Sequence, residues 1–357
     1  EKNSGINTYA IKVKKYKNNL VLFTLLSLVV ISCRSTKIGE VAKIKQPNIL
    51  LLLSDDQSFN TINALGNKEV STPNMDRLVS EGTTFTHAHI MGGNTGAICM
   101  PSRAMMMTGK NVHKFNSKGA LTSEDETMPQ LLREAGYATF GTGKWHNNSD
   151  SFAKSFTHGS NIFLGGMSNH LKVPLHEFDP SGEYPKRNRR FEDKFSSVLF
   201  REATVDFLEN YNGDKPFFAF VSFTSPHDPR MAPKEYEEMF NTEKISIPEN
   251  FLPIHPFDNG ELIIRDENLL PFPRTEEAVL GELASYYAMI SEVDDNIGKI
   301  LDALKKSEKY DNTIIIFASD NGLAVGQHGL IGKQNLYDHS IRVPLIISGP
   351  GIKKGVR

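Results

Sequence analysis

The chain has 357 residues, of which 39% are hydrophobic and 23% charged, with a formal net charge of -2. That length can bury a full core, and the composition excludes a disordered polypeptide. Without a polybasic excess there is no basis for a nucleic-acid partner, so a small anionic substrate must find its positive partners locally.

Lys12, Lys14, Lys15 and Lys17 precede the apolar run 20–31, the charged and apolar regions of an export signal too short to span a bilayer comfortably. Residues 1–33 are therefore expected to be a signal peptide. Its end, Val30-Ile31-Ser32-Cys33, resembles a bacterial lipobox, which predicts lipidation of Cys33. The expected product is an exported bacterial lipoprotein, periplasmic or on the outer membrane, that meets the membrane through its lipid anchor only. Cys99, the second of two cysteines, has a separate reading, so no disulfide is expected despite export. Residues 34–46 read as a polar linker and 47–357 as one catalytic domain. The sequence starts without Met and ends just after an apolar run, so a C-terminal subdomain is expected to be missing.

Residues 47–53 form a continuous apolar run, as in a strand buried on both faces of a parallel sheet, and deliver Ser54-Asp55-Asp56-Gln57 to its carboxyl end. Thr72 is the expected N-cap of a helix with Pro73 at its first position, which runs to Gly82 with Met75, Leu78 and Val79 on one face. Around residue 99, Pro101 supplies the fixed φ and missing N–H that a first helical turn tolerates, and Ala104 to Met107 continue the helix. This places Cys99 at the positive end of a helix dipole, where an anionic ester is attracted. Thr127 caps another helix, which ends at Gly136. Residues 137–140 read as a strand running into Gly141-Thr142-Gly143-Lys144-Trp145-His146.

Further on, 195–211 is helical by periodicity, and 216–223 is a buried strand that leads to Ser225-Pro226-His227. A long amphipathic helix over 275–306 precedes the strand 313–318, which ends at Ser319-Asp320-Asn321-Gly322. The last strand is 344–348. Segments 147–193 and 229–274 are less regular and read as excursions at the rim. Strands alternating with helices predict an α/β fold with a mostly parallel central sheet flanked by helices. Polar residues recur at the carboxyl ends of its strands, where such sheets place ligands, and this predicts one shared site.

Asp55 and Asp56 are adjacent carboxylates, one of which would be pushed towards protonation unless a cation removes the conflict. Asp320 and Asn321 repeat the pattern with oxygen donors, which favours Ca²⁺ or Mg²⁺ over zinc. Either pair alone would read as a turn. The run Cys99-Met100-Pro101-Ser102-Arg103 followed by Thr108-Gly109 resembles the type I sulfatase signature C-x-P-S-R-x-x-x-x-T-G. The resemblance spans most of 47–350. It includes Thr72-Pro73-Asn74-Met75-Asp76-Arg77-Leu78, Gly143-Lys144-Trp145-His146, Ser225-Pro226-His227, Ser319-Asp320-Asn321-Gly322 and Gly332-Lys333.

The resemblance implies an alkaline-phosphatase-like fold and a Cys99 oxidised to formylglycine by a formylglycine-generating maturation enzyme. It further implies one Ca²⁺ per chain, held by Asp55, Asp56, Asp320, Asn321 and residue 99. Arg103 and Lys144 would steady the nucleophile, His146 would assist its turnover, and His227 and Lys333 would hold the sulfate and protonate the departing alcohol. A sulfated glycan is the expected substrate, with His170, His176, His255, Arg265 and His328 as candidate sugar contacts. The competing readings are a phosphodiester or phosphonate monoester hydrolase of the same superfamily, and a noncatalytic glycan-binding lipoprotein.

Overall fold

A computed structural model of the chain describes residues 46–93, 95–96 and 98–357. The expected signal peptide, Cys33 and all but the last residue of the expected linker lie outside the described residues. The strands are β1 (Asn48–Ser54), β2 (Gly82–Thr84), β3 (Ala138–Lys144), β4 (His158–Phe163), β5 (Phe217–Ser222), β6 (Thr313–Ser319) and β7 (Leu345–Ser348). They form one sheet in the order β2-β7-β6-β1-β5-β3-β4. The run from β6 to β4 is parallel, whereas β7 is antiparallel to β6 and β2 to β7. The expected α/β architecture is therefore present, with a mixed, mostly parallel sheet. At its centre Leu51 of β1 lies between Phe220 of β5 and Ile316 of β6.

The main helices are α1 (Pro73–Glu81), α2 (Cys99–Thr108), α3 (Met128–Glu134), α4 (Ser149–Ser155), α5 (Ser196–Asn210) and α6 (Glu276–Lys306). Alternation along β1 sends its leucines to opposite faces. Leu50 and Leu52 pack with Met75 and Leu78 of α1, Phe200 of α5 and Val293 and Ile297 of α6. Leu51 and Leu53 pack with Ala104 and Met107 of α2, and with Trp145, Phe152 and Phe156. Each fully buried Leu, Ile, Val, Phe or Met among them contributes about 1.5–3 kcal/mol. Among the described residues no helix is long and apolar enough to cross a membrane.

Three local differences from the sequence reading have physical causes. Segment 147–193 is not wholly irregular, because it contains α4 and the edge strand β4. The start of β4, His158-Gly159-Ser160-Asn161, carries no apolar alternation that would mark a strand. The strand predicted over 137–140 continues to Lys144 because Gly143 takes a φ of +85° that lets β3 close on β5; a Cβ there would meet Ser222 O at 1.8 Å. Thr72 does not cap α1 with its side chain, since its Oγ1 donates to Asp76 and accepts from Asn63 N. Buried Asp294 of α6 takes over, accepting from Asn74 N at 3.0 Å and Met75 N at 2.7 Å.

Glu292, also on α6, is fully buried, and its Oε1 accepts from Asn296 Nδ2 at 2.7 Å. Burial, only partly offset by hydrogen bonds, pushes its carboxyl up to about 8. The neutral acid is therefore the form that suits the fold. Its stabilising effect is complete below the unfolded value near 4.5 and is lost as pH rises through about 8. Glu292→Gln should melt several degrees above the wild type at pH 8.5 and together with it near pH 4.5, read by thermal melts of both proteins across that range.

Candidate active site

The turns that leave β1, β3, β5 and β6 converge at the carboxyl ends of the strands. They bring Asp55 and Asp56 from β1, Lys144 and His146 from β3, His227 from beyond β5, and Asp320 and Asn321 from β6. Cys99 opens α2 against them, and Arg103 follows one turn later. Asp56 and His146 have left-handed backbones, with φ of 69° and 53°. Each such non-glycine residue carries a strain of about 1–3 kcal/mol that its surroundings must offset. At Asp56 the support is Tyr286 of α6, whose hydroxyl donates to Asp56 O at 2.7 Å and accepts from Ser58 N at 3.0 Å.

Arg103 ties the strand ends together. Its Nε donates to Asp320 Oδ2 at 2.8 Å, its Nη1 to Lys144 O at 2.7 Å and Ser222 Oγ at 2.6 Å, and its Nη2 stands 3.6 Å from Asp55 Oδ1. Lys144 Nζ donates to Asp55 Oδ2 at 2.5 Å. Lys333 Nζ lies 2.7 Å from both oxygens of Asp56 and 2.9 Å from Cys99 Sγ, while Asn321 Nδ2 is 3.4 Å from the same sulfur. His227 Nδ1 donates to the carbonyl of Asp228 at 2.8 Å, which turns Nε2 towards Asp56 Oδ2 at 3.6 Å. Trp145 is buried between Lys144 and His146, with its Nε1 donating to Ser151 Oγ at 2.9 Å.

Three buried carboxylates thus face three buried cations. Burial alone would raise Asp55, but Lys144, Arg103 and Lys333 outweigh it and hold that carboxyl below its ordinary value. Asp56 moves the other way, up to about 7, because burial and the charges of Asp55 and Asp320 exceed the pull of Lys333. Burial and Asp320 push the Cys99 thiol well above its usual range. An encoded thiol here stays protonated and is a poor nucleophile. Burial, with Lys144 and Arg103 nearby, drives His146 down to about 2, so its imidazole is neutral.

Asp55 Oδ1 and Asn321 Oδ1 are buried acceptors with no hydrogen-bond partner. Ligand atoms of Asp55, Asp56, Cys99 and His227 lie within 4.8 Å of one another. Orphaned acceptors among crowded carboxylates fit a cation, and the carboxylate and amide oxygens of Asp55, Asp56 and Asn321 fit a hard divalent ion. The residues therefore suit the metal that the sequence pattern implies.

A cavity of about 320 Å³ opens onto the cluster, lined by Cys99, His146, Met167, His227, Arg265 and Lys333. Gly166 gives the His146 ring its room, since a Cβ there would meet Nε2 at 2.3 Å. Of the candidate sugar contacts, the structure brings Arg265 alone to this cavity. His170 is not on the rim: it is 1% exposed, with Nδ1 near Ser196 and Thr224 hydroxyls and Nε2 bonded to the carbonyl of His227. His176 is buried in a bridge to Ile162 and packs against Tyr184. His328 lines a separate cleft of about 860 Å³, and its carbonyl binds the Nδ1 of buried His255. The sequence reading overlooked Ser222 as the seat of Arg103 and Ser102, whose Oγ donates to Asp320 O at 2.6 Å. Tyr286 carried a usable signal, since a tyrosine on a buried helix face needs a partner for its hydroxyl.

A family model described as Sulfatase matches residues 47–357. An N-acetylglucosamine-6-O-sulfatase of Bacteroides thetaiotaomicron is 27% identical over 413 residues, covering 99% of this chain and 71% of its own length. An ulvan-active sulfatase of Formosa agariphila is 28% identical over 345 residues, covering 92% of this chain and 62% of its own. Among solved structures, one in complex with its substrate D-glucosamine-2-N,6-O-disulfate is similar with a TM-score of 0.71 and 26% identity, covering 87% of this chain and 73% of that one.

Proposed function

We propose, because this chain belongs to the sulfatase family over residues 47–357, that it removes sulfate from a sulfated polysaccharide or its oligosaccharides, using calcium and a formylglycine made from Cys99. The observation that carries this reading is the seat of Cys99. It opens α2 in contact with Lys333 and Asn321 and stands beside crowded buried carboxylates. The sugar assignment is supported by relatives named for sugar sulfates and ulvan.

Asp55, Asp56, Asp320 and Asn321 would hold the calcium, with residue 99 beside them. When bound, the ion neutralises the carboxylates and polarises the ester, and the hydrated aldehyde supplies an oxygen nucleophile with a second hydroxyl for product release. Arg103 and Lys144 fix Asp320 and Asp55 through the bonds described above, so the donors need little reorganisation during reaction. His146 lines the cavity that residue 99 shares, and its Nδ1 has no hydrogen-bond partner, so its position rather than its basicity recommends it for a proton relay at residue 99. Lys333 Nζ and His227 Nε2 both face Asp56, where they can hold the anionic ester and serve the leaving oxygen.

The direct test is mass spectrometry of the peptide containing residue 99, from a host that carries a formylglycine-generating enzyme, joined to assays on sulfated oligosaccharides, nitrophenyl sulfate and a phosphate diester. An aldehyde with sulfate release is expected, and faster phosphate-diester turnover would favour the alternative hydrolase. The export reading rests on the lysine-led apolar run and Cys33. Labelling of cells with a radioactive fatty acid should mark the protein, and Cys33→Ala should abolish the label.

Arg265 stands at the cavity mouth, paired with Asp228 and Asp266 and 47% exposed at its side chain. If it reads the sugar, Arg265→Ala should lose about tenfold more kcat/KM on a sulfated oligosaccharide than on nitrophenyl sulfate, whose ester needs only the inner pocket. Equal losses on the two substrates would remove Arg265 from sugar recognition.

A further inference from the structure

Three consecutive side chains in the 229–274 excursion reach the two loops that carry His227 and Lys333. Arg265 pairs with Asp228, next to His227. Asp266 Oδ2 accepts from Gln334 Nε2 at 3.0 Å, next to Lys333. Glu267 goes deepest. It is 3% exposed, its Oε2 accepts from Ile331 N at 2.9 Å, and its Oε1 accepts from Gly332 N at 2.8 Å.

Arg274 balances this buried carboxylate by donating from Nη2 to Glu267 Oε2 at 2.7 Å and to Glu267 O at 2.8 Å. The same guanidinium reaches Gly329 O from Nε at 3.3 Å, and its free face lies 3.7 Å from the centre of the Phe272 ring. The backbone immediately before Lys333 is therefore gripped by a charged pair that lies outside the catalytic cluster. Charge-assisted bonds to two successive amides fix both the position and the direction of that backbone. Lys333 needs such support, because a long lysine side chain has many rotamers and its Nζ must meet Asp56 and residue 99 together. Gly332 makes the close approach feasible, since a Cβ there would sit 2.8 Å from Glu267 Oε1.

We infer that Glu267 is a positioning residue for Lys333: with Arg274 it sets the Ile331–Gly332 backbone so that the Lys333 ammonium reaches the ester and its leaving oxygen. This rests on the sulfatase reading above. Its signature is a dependence on the leaving group. An ester whose departing oxygen needs little help tolerates a displaced Lys333, whereas a poor leaving group does not.

The test compares wild type, Glu267→Gln, Lys333→Ala and the double variant on 4-nitrophenyl sulfate and 4-methoxyphenyl sulfate, all matured alike and checked by thermal melts. Glu267→Gln should lose at least tenfold in kcat on the methoxyphenyl ester and less than threefold on the nitrophenyl ester. Lys333→Ala should show the same bias more strongly, and the double variant should be no worse than Lys333→Ala alone. Should Glu267→Gln fail to fold, Gly332→Ala presses on the same carboxylate and should give the same bias. Equal losses on both esters, losses that multiply in the double variant, or full activity would overturn the positioning role. Absence of turnover of either ester by matured wild type would instead overturn the sulfatase reading.

Discussion

Cys99→Ala is expected to lower sulfate-ester turnover by about 10⁴-fold or more while leaving the melting temperature within a few degrees of wild type. The residue is 2% exposed, and its sulfur meets Lys333 at 2.9 Å and Asn321 and Asp56 through longer, weaker contacts of 3.4 and 3.7 Å. Deleting one sulfur from this seat leaves a small cavity, costing on the order of 1 kcal/mol. Lys333 keeps both oxygens of Asp56 in the variant, so the charge balance survives. Chemistry is a different matter, because the variant lacks the atom from which the proposed nucleophile would be made. Cys99→Ser should be nearly as inactive, since a serine oxygen can attack but has no second hydroxyl with which to release sulfate. Initial rates and circular-dichroism melts on the three proteins decide this. More than about 1% residual turnover in Cys99→Ala would remove the nucleophile assignment.

The seat of Cys99 was legible because it depends on local chemistry that a sequence displays. Pro101 marks the helix start, the apolar run 47–53 marks a strand buried on both faces, and the pairs Asp55-Asp56 and Asp320-Asn321 follow two buried strands. The cluster itself follows from parallel strands ending on one side of a sheet. What stayed hidden depends on contacts distant in sequence. Asp294 replaces Thr72 as the cap of α1 across 220 residues of chain. Glu267 lies in an irregular segment with no periodicity, and its purpose appears only once Gly332 is beside it. Histidines misled for the opposite reason, since composition cannot tell a rim residue from one buried like His170, whose ring nitrogens are both engaged by neighbours.

Asp55→Ala should abolish turnover, remove the calcium response and cost about 3–5 kcal/mol of stability, three effects with separable causes. Asp55 is fully buried, and the ammonium bonded to its Oδ2 at 2.5 Å is buried as well. Removing the carboxylate leaves Lys144 charged without its anion in a site where water cannot replace it. Because Lys144, Arg103 and Lys333 hold Asp55 below its ordinary value against the effect of burial, the stability it contributes is present at neutral pH and is lost as pH falls through that lowered value. The wild-type advantage over Asp55→Ala should therefore shrink in acid. Binding of the proposed calcium would be a separate readout: at about 100 times its dissociation constant the ion would add about 2.7 kcal/mol to the folded state, a rise of several degrees in melting temperature that a chelator should reverse. The double variant Asp55→Ala/Lys144→Met separates the causes. Taking away both buried charges should recover much of the lost stability, but it cannot restore the oxygen ligand, so the calcium-dependent shift should remain absent. A full calcium shift in either variant would show that the ion is held without Asp55, and the two orphaned acceptors, Asp55 Oδ1 and Asn321 Oδ1, would then not belong to one metal site.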